Sequence, residues 1–491
     1  MPASAKQLFE TSVDQVRRGQ LRPALGTLLQ ALAVDPGHEG ALQAAGRICR
    51  LLGSEADAQL FDELRSRPGD AAALFALGYR MVDEGRPEVA AALLEKSLLA
   101  DPGNTSTRRE LAFARLQARD FTGCLRTLAP LDDEPSLSET ETLDVLLVQA
   151  EAAFYATRRD LANRFLAQAE ERVPEDDQRE RLDALHAMLG RSTRWPSLDS
   201  LGLREWHFIQ QAGVVLKVAG GYFEDSSRLG RYDILDLRLD MVAFLLQRLV
   251  HLLERLGLSH QLVMPVSPVS APLGHALALA QGVPCEEELT ERRGRSALLV
   301  AANALEFGPL VPSLGVHSPE LRLFSLNLDW EHEAPVCPEV AGLLARRAFL
   351  PWEERYALDS RTRQMRALPA DERPAAEIGA ELHAAMLALP DDGGTAREEF
   401  ESLYMPLASQ LVLGNEELHP HRRRFTTLSP CWPAAGDSSP SRGARATSGP
   451  QAPGASRPAR PQRPMDDDAD DAFNNPLRDS HDDDEPEMPG R

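Results

Sequence analysis

Three segments near the start of the chain share one pattern of small and large apolar positions. Ala24 is followed by Leu28, Ala31 and Pro36; Ala90 by Leu94, Ser97 and Pro102; Ala162 by Leu166, Ala169 and Pro174. The offsets are 0, 4, 7 and 12 in each, a helical period followed by a proline that ends the helix. Ahead of the middle segment, Leu74, Leu77, Gly78 and Met81 mark a partner helix with a small residue at its crossing point. Small residues let two antiparallel helices approach closely, and the large ones fill the space between them. Later the pattern changes. Leu239 to Leu256 is an amphipathic helix carrying Leu245, Leu249, Leu252 and Leu253, stopped by Gly257.

Recurring helix pairs of this kind resemble a tetratricopeptide-repeat array, with about 34 residues per helix–turn–helix unit. Units are expected at 5–38, 39–70, 71–104, 105–142 and 143–176, and Gln178 to Leu189 as a capping helix with a polar outer face. The second unit is two residues short and has Asp62 where a large apolar residue is usual. The fourth has Cys124 at a small position and an acidic insertion, Asp132 to Thr142. The resemblance implies a concave groove lined by the first helix of each unit. Its inward positions carry over to Phe9, Val13, Gln43, Arg47, Phe75, Tyr79, Arg109, Phe113, Leu147, Glu151 and Phe154. Arg47, Phe75, Tyr79, Arg109, Phe113, Glu151 and Phe154 are the expected partner-binding set. Aromatic and arginine side chains together suit a peptide with apolar anchors and some negative charge. Packing against the next helix is the other reading of each. The lysine- and asparagine-rich clamp that the family uses for a terminal carboxylate has no counterpart here.

From Trp195 to about Thr426 the repeat is lost and strand signals appear. Phe208 to Val218 is rich in Val and Ile and is broken by Ala219-Gly220-Gly221, which reads as a hairpin or sharp turn. Gln261 to Val266 reads as a buried strand, Pro272 to Gln281 as a helix ending at Gly282, and Val283 to Glu286 as a short strand. Ala297 to Ala302 and Leu321 to Leu328 read as further strands. Strands alternating with helices predict a mainly parallel sheet with helices on its faces.

The run LVMPVSPVSAPLGHALALAQGVPCEEE, and ALLVAANALEFG beyond it, resembles the core of type I phosphoribosyltransferases. That family's functional loop needs adjacent acids for the ribose hydroxyls and a Thr/Gly-rich turn whose N–H groups hold the phosphate. Here the positions read Ala301, Ala302 and Asn303, then Leu305 to Gly308, so neither is present. Ser267 and Ser270 stand where a basic residue would help with pyrophosphate, and Glu286 and Glu287 replace the usual lysine. Either the topology is inherited and its chemistry lost, or the likeness is accidental. Arg292, Arg293 and Arg295 are the best support for a nucleotide- or phosphoribosyl-binding domain, and they fit a solvated loop equally.

Composition narrows the functional classes. A net charge of −22 argues against general nucleic-acid binding and against docking on an anionic membrane. No apolar run approaches the roughly 18 residues of a transmembrane helix, and Met1 to Gln15 has no apolar stretch to serve as a signal peptide. A cytoplasmic protein is expected. Aromatics are 5% of the 491 residues, so the core is mostly Leu, Ala and Val. Cys49, Cys124, Cys285, Cys337 and Cys431 are far apart with no C-x-x-C, which argues against a disulfide framework or a structural zinc site. Lys6, Lys96 and Lys217 are the only lysines, leaving few candidates for lysine chemistry.

Asp329, Glu331, His332 and Glu333 could form a carboxylate–imidazole site, and a solvated acidic loop is the plainer reading. His419 and His421 precede Arg422-Arg423-Arg424 without a third ligand. No nucleotide-loop, zincin or nucleophile-elbow motif occurs. The expectation is therefore no catalytic residue, no metal and no cofactor.

From Ser429 onward, Pro, Ser, Gly, Ala and Arg dominate, which predicts disorder. Asp466 to Asp471 and Asp482 to Glu487 flank Phe473-Asn474-Asn475-Pro476-Leu477. That segment is either a solubilising tail or a short motif able to occupy the protein's own groove near Arg47 and Arg109. The sequence thus predicts a multidomain chain. Residues 1–192 form an all-α helical-repeat solenoid, 193–428 an α/β domain with a mainly parallel sheet, and 429–491 a disordered tail. The expected role is a non-enzymatic scaffold for a protein or peptide partner, with a nucleotide or phosphoribosyl sensor or transferase as the alternative.

Overall fold

A computed structural model describes residues 3–132, 134–199, 201–216, 232–287, 295–310, 321–329, 334, 336–358, 365–389 and 403–410. Its first part is a succession of helix pairs. These are α1 (Ala5–Arg17) with α2 (Leu21–Val34), α3 (Glu39–Leu51) with α4 (Glu55–Ser66), and α5 (Ala71–Asp83) with α6 (Pro87–Ala100). Next come α7 (Thr105–Gln117) with α8 (Phe121–Leu128), α9 (Glu139–Tyr155) with α10 (Arg159–Glu170), and then α11 (Asp176–Ser192).

Each first helix is started by a side chain that accepts from the backbone N–H three residues on: Ser4, His38, Asp70, Asn104 and Ser138. Such caps satisfy donors that a helix start leaves without partners. Their spacing of 34, 32, 34 and 34 residues puts the first four units where the pattern places them and corrects the start of the fifth. The fourth unit carries no insertion. Residues 139–142 are instead the first turn of α9, where Glu139 and Glu141 suit the positive end of the helix dipole, so the fifth unit begins at Glu139 rather than at 143.

Within a pair, the small residues sit at the crossing. A Cβ built on Gly78 would come 2.8 Å from Leu94 Cγ, a side chain that is itself fully buried. Gly78→Leu should therefore force α5 and α6 apart and cost about 1–3 kcal/mol, read as a lower urea midpoint with intact helical circular dichroism. An unchanged midpoint would show that the crossing has slack.

Next comes α12 (Leu203–Gln211), where the sequence pattern suggested a strand from Phe208. Its faces enter three cores. Trp206 and Ile209 pack into the repeat's last layer, Phe208 into one side of the sheet and Leu203 into the other. Arg191 of α11 donates to the carbonyls of Ile209 (2.7 Å) and Gln210 (3.1 Å) at the helix end. Packing thus runs straight through the expected boundary at residue 192, and repeat and sheet belong to one compact unit. Ala212, at φ 50°, turns the chain into the first strand.

The sheet comprises β1 (Val214–Val215), β2 (Tyr232–Asp236), β3 (Leu262–Pro265), β4 (Ala297–Asn303), β5 (Leu321–Leu328) and β6 (Val340–Phe349). Every pairing in it is parallel, in the order β1-β6-β5-β4-β3, with β2 beside the second half of β6. Cys285 bridges the outer edge of β3 through Val263. A parallel sheet needs both faces covered. One face receives α13 (Leu239–Arg255), α14 (Ala271–Gln281) and α15 (Ala375–Ala388). The other is lined by Met264, Leu299, Ala301, Phe307 and Leu344. An antiparallel hairpin of β7 (Arg355–Leu358) and β8 (Met365–Leu368) follows.

Candidate functional site

Two surfaces offer chemistry. The first is the row of first helices in the repeat. Arg47 on α3 is exposed, Tyr79 on α5 is 46% exposed, and Phe75 and Phe113 are half-buried. Phe75 and Tyr79 lie one turn apart with ring centroids 6.0 Å apart. Arg109 is half-buried and paired with Glu141 at 2.9 Å, and Glu151 is paired with Arg181 of α11 at 2.5 Å. Phe154 and its neighbour in the expected lining, Leu147, are corrections: both are fully buried. Phe154 packs edge-on against Trp206 at 5.7 Å, because α12 covers the end of the array. Of the expected lining, Gln43, Arg47 and Tyr79 are exposed, and Phe9, Val13, Phe75 and Phe113 are half-buried.

The second surface lies at the carboxyl ends of the strands. After β3 the chain goes outward through α14 to Cys285 and then returns to the other side of β3 as β4. That reversal is a topological switch point, where α/β sheets leave a crevice. A cavity of ≈ 820 Å³ opens there, between the ends of β4 and β5 and the ribbon that β2 makes with the second half of β6. Leu305, Ile234, Ala348 and Leu350 give it apolar walls, and Asp329, Glu306, Glu353, Asp233, Arg346 and Arg347 supply charge.

Glu306 stands in the loop that corresponds to the phosphate-binding turn of the phosphoribosyltransferase resemblance, and residues 304–310 form a short 3-10 helix there. Its carboxylate accepts from Ser267 Oγ (2.7 Å), the backbone N–H of Asn303 (3.0 Å) and that of Ala302 (3.4 Å). Burial pushes the Glu306 carboxyl above the usual carboxylate range, against the pull of those three hydrogen bonds, and the charge of Glu353 adds to the rise. The donors that would cradle a phosphate are thus engaged by the chain's own anion. Arg295, the one described member of the arginine trio, is held by Glu286 at 2.6 Å. Arg292 and Arg293 lie outside the described residues. So do Glu331, His332 and Glu333, His419 and His421, Cys431 and the whole tail. Among the described residues no group of three or more His, Cys, Asp or Glu is placed to hold a metal. No helix of the described residues is long and apolar enough to cross a membrane.

Three of the described thiols are poor nucleophiles. Burial pushes Cys49 to about 11, Cys124 to about 12 and Cys285 to about 11, with nearby carboxylates adding to each.

The repeat is similar to several solved structures. One is YrrB, a TPR protein with an unusual peptide-binding site, at 18% identity over 34% of this chain and 86% of that one, TM-score 0.22. Another is pilF of Pseudomonas aeruginosa, at 16% identity over 39% and 84%, TM-score 0.24. A third is TTC0263, a thermophilic TPR protein in Thermus thermophilus, at 19% identity over 37% and 99%, TM-score 0.22. No family model matches the chain, and no curated protein matches it. Scores this low carry no argument of their own; the repeat assignment stands on the helix pairs and the period of their caps.

Proposed function

We propose that the protein is a non-enzymatic interaction scaffold that takes an extended peptide on the face formed by its first helices. Phe75, Tyr79 and Phe113 supply apolar contacts and Arg47 an ionic one. The observation that carries this reading is the Phe75–Tyr79 pair, two aromatic rings left accessible on the central repeat, flanked by exposed Arg47 and half-buried Phe113. A fold gains little from leaving such rings in water, whereas aromatic and arginine anchors dominate binding energy at interfaces. Fixed helix pairs also keep the face preorganised, which lowers the ordering cost of binding.

The alternative, a nucleotide- or phosphoribosyl-binding transferase, needs backbone donors that Glu306 already engages, and that counts against it. Peptides selected from a random display library against the full chain provide the test. The selected peptides should bind in the micromolar range and lose about tenfold or more on Phe75→Ala/Tyr79→Ala. Peptides that bind the double variant as well as the original chain would refute the assignment of this face.

A further inference from the structure

The row of first helices carries a charge that its ring pair does not account for. Glu110 on α7 lies one turn before Phe113, and Asp83 on α5 lies one turn beyond Tyr79. These spacings put each carboxylate on the same helix face as its ring. Asp83 is exposed and Glu110 half-buried. Burial above all holds the Glu110 carboxyl above the usual carboxylate range; the Arg109 charge pulls it down, and that of Asp83, acting across the seam between α5 and α7, pushes it up. Among the described residues no group donates a hydrogen bond to the Glu110 carboxylate. Arg109, beside it in sequence, is directed to Glu141 at 2.9 Å. A half-buried carboxylate without a partner loses solvation and gains no bond for it. Arg109 was the residue expected to draw negative charge to this face, and its pairing leaves Glu110 as the unpaired charge beside the rings.

We infer that the peptide taken on this face carries an arginine or lysine, received by Glu110 and Asp83 between α5 and α7, about three residues from the apolar side chain seated on Phe75 and Tyr79. This rests on the peptide reading above and adds the charge and spacing of the ligand. The spacing follows because packed neighbouring helices lie about 8–10 Å apart and an extended chain advances about 3.3 Å per residue. Tyr79 and Phe113, one turn from the carboxylates, suit the stem of such a side chain, which is apolar up to its charged head. An acidic residue at that position would meet like charge in a partly desolvated site, where repulsion is stronger than in water.

Short peptides selected from a random display library against the full chain, with affinities read by calorimetry, test this. Binders that weaken about tenfold or more on Phe75→Ala/Tyr79→Ala should carry arginine or lysine about three residues from an aromatic or aliphatic residue. Glu110→Gln should weaken them about tenfold without lowering the urea midpoint of the free chain, because no contact within the fold is lost. Glu110→Lys should restore affinity for a peptide whose basic residue is changed to glutamate. Asp83→Asn, at an exposed position, should weaken the basic peptides about threefold, and it keeps the test decisive if a Glu110 variant does not fold. Ring-dependent binders without a basic residue would overturn this inference and leave the peptide reading standing. So would basic binders that Glu110→Gln and Asp83→Asn both leave at full affinity. A lower urea midpoint for Glu110→Gln would overturn it too, by showing that the carboxylate serves the fold. Binders indifferent to the ring variant, or none at all, would overturn the peptide reading and this inference together.

Discussion

Truncating Trp206 to alanine should cost about 3–5 kcal/mol and split a single unfolding transition into two. Trp206 is 1% exposed and packs against the rings of both Phe154 (5.7 Å) and Tyr155 (6.3 Å). It is the largest side chain that α12 contributes to the repeat's last layer, while Phe208 on the same helix belongs to the sheet. A short hydrogen-bond chain accompanies it: Gln210 Nε2 donates to Tyr155 Oη at 3.1 Å. Removing the indole leaves a cavity where the two halves meet, and the surroundings cannot collapse into it because both sides are anchored. The repeat should then unfold before the sheet. Scanning calorimetry checks this: one peak for the original chain and two for the variant. A variant with one peak, within about 0.5 kcal/mol of the original, would show that α12 is not what couples the halves.

Acidification gives the second large effect. His260 is buried, with its pKa pushed down from 6.5 to about 4 chiefly by burial, and the Arg322 charge lowers it further. Gln281 Oε1 lies 3.2 Å from its Nδ1 and the Arg322 guanidinium 3.2 Å from its Nε2. The folded chain therefore holds the neutral ring, donating from Nδ1 and accepting at Nε2, whereas the unfolded chain takes up a proton near pH 6.5. The stabilisation is fully present above that value. It is lost as pH falls toward about 4, amounting to about 3 kcal/mol. Urea midpoints measured between pH 7 and 4 should fall faster for the original chain than for His260→Gln, which lacks the titrating group. Parallel slopes would mean that the ring is protonated in the fold.

Much of this was legible along the chain. Leu239–Arg255, Leu262–Pro265, Ala271–Gln281 and Leu321–Leu328 form where their periods predict, because each buries a continuous stripe or run. The failures have separate causes. Val340–Phe349 is rich in Ala, Leu and Arg and has no strand period, yet it lies between β5 and both β1 and β2, buried along its first six residues. Tertiary pairing overrides propensity there. Phe208 and Ile209 look like strand residues, but α12 needs apolar side chains on all sides because it faces three cores. Phe154 occupies a groove position in the repeat pattern and is buried by a helix roughly fifty residues further on, which no local pattern encodes.

The crevice was the least legible feature. Asp329 stood out as a possible ligand and Glu306 lay within a loop already singled out. Arg346 and Arg347 carried one weak signal, an arginine pair interrupting an apolar run, and Asp233 and Glu353 carried none.

By itself the sequence determined the repeat. Contacts within a helix pair and between successive pairs span at most a few tens of residues, so a period of about 34 writes them directly into the chain. The tertiary structure alone decided the strand order, the fusion of repeat and sheet through α12, and the crevice. Those depend on pairings between strands far apart in the chain, where any apolar run can add to a buried edge and only the competition among all of them selects one arrangement.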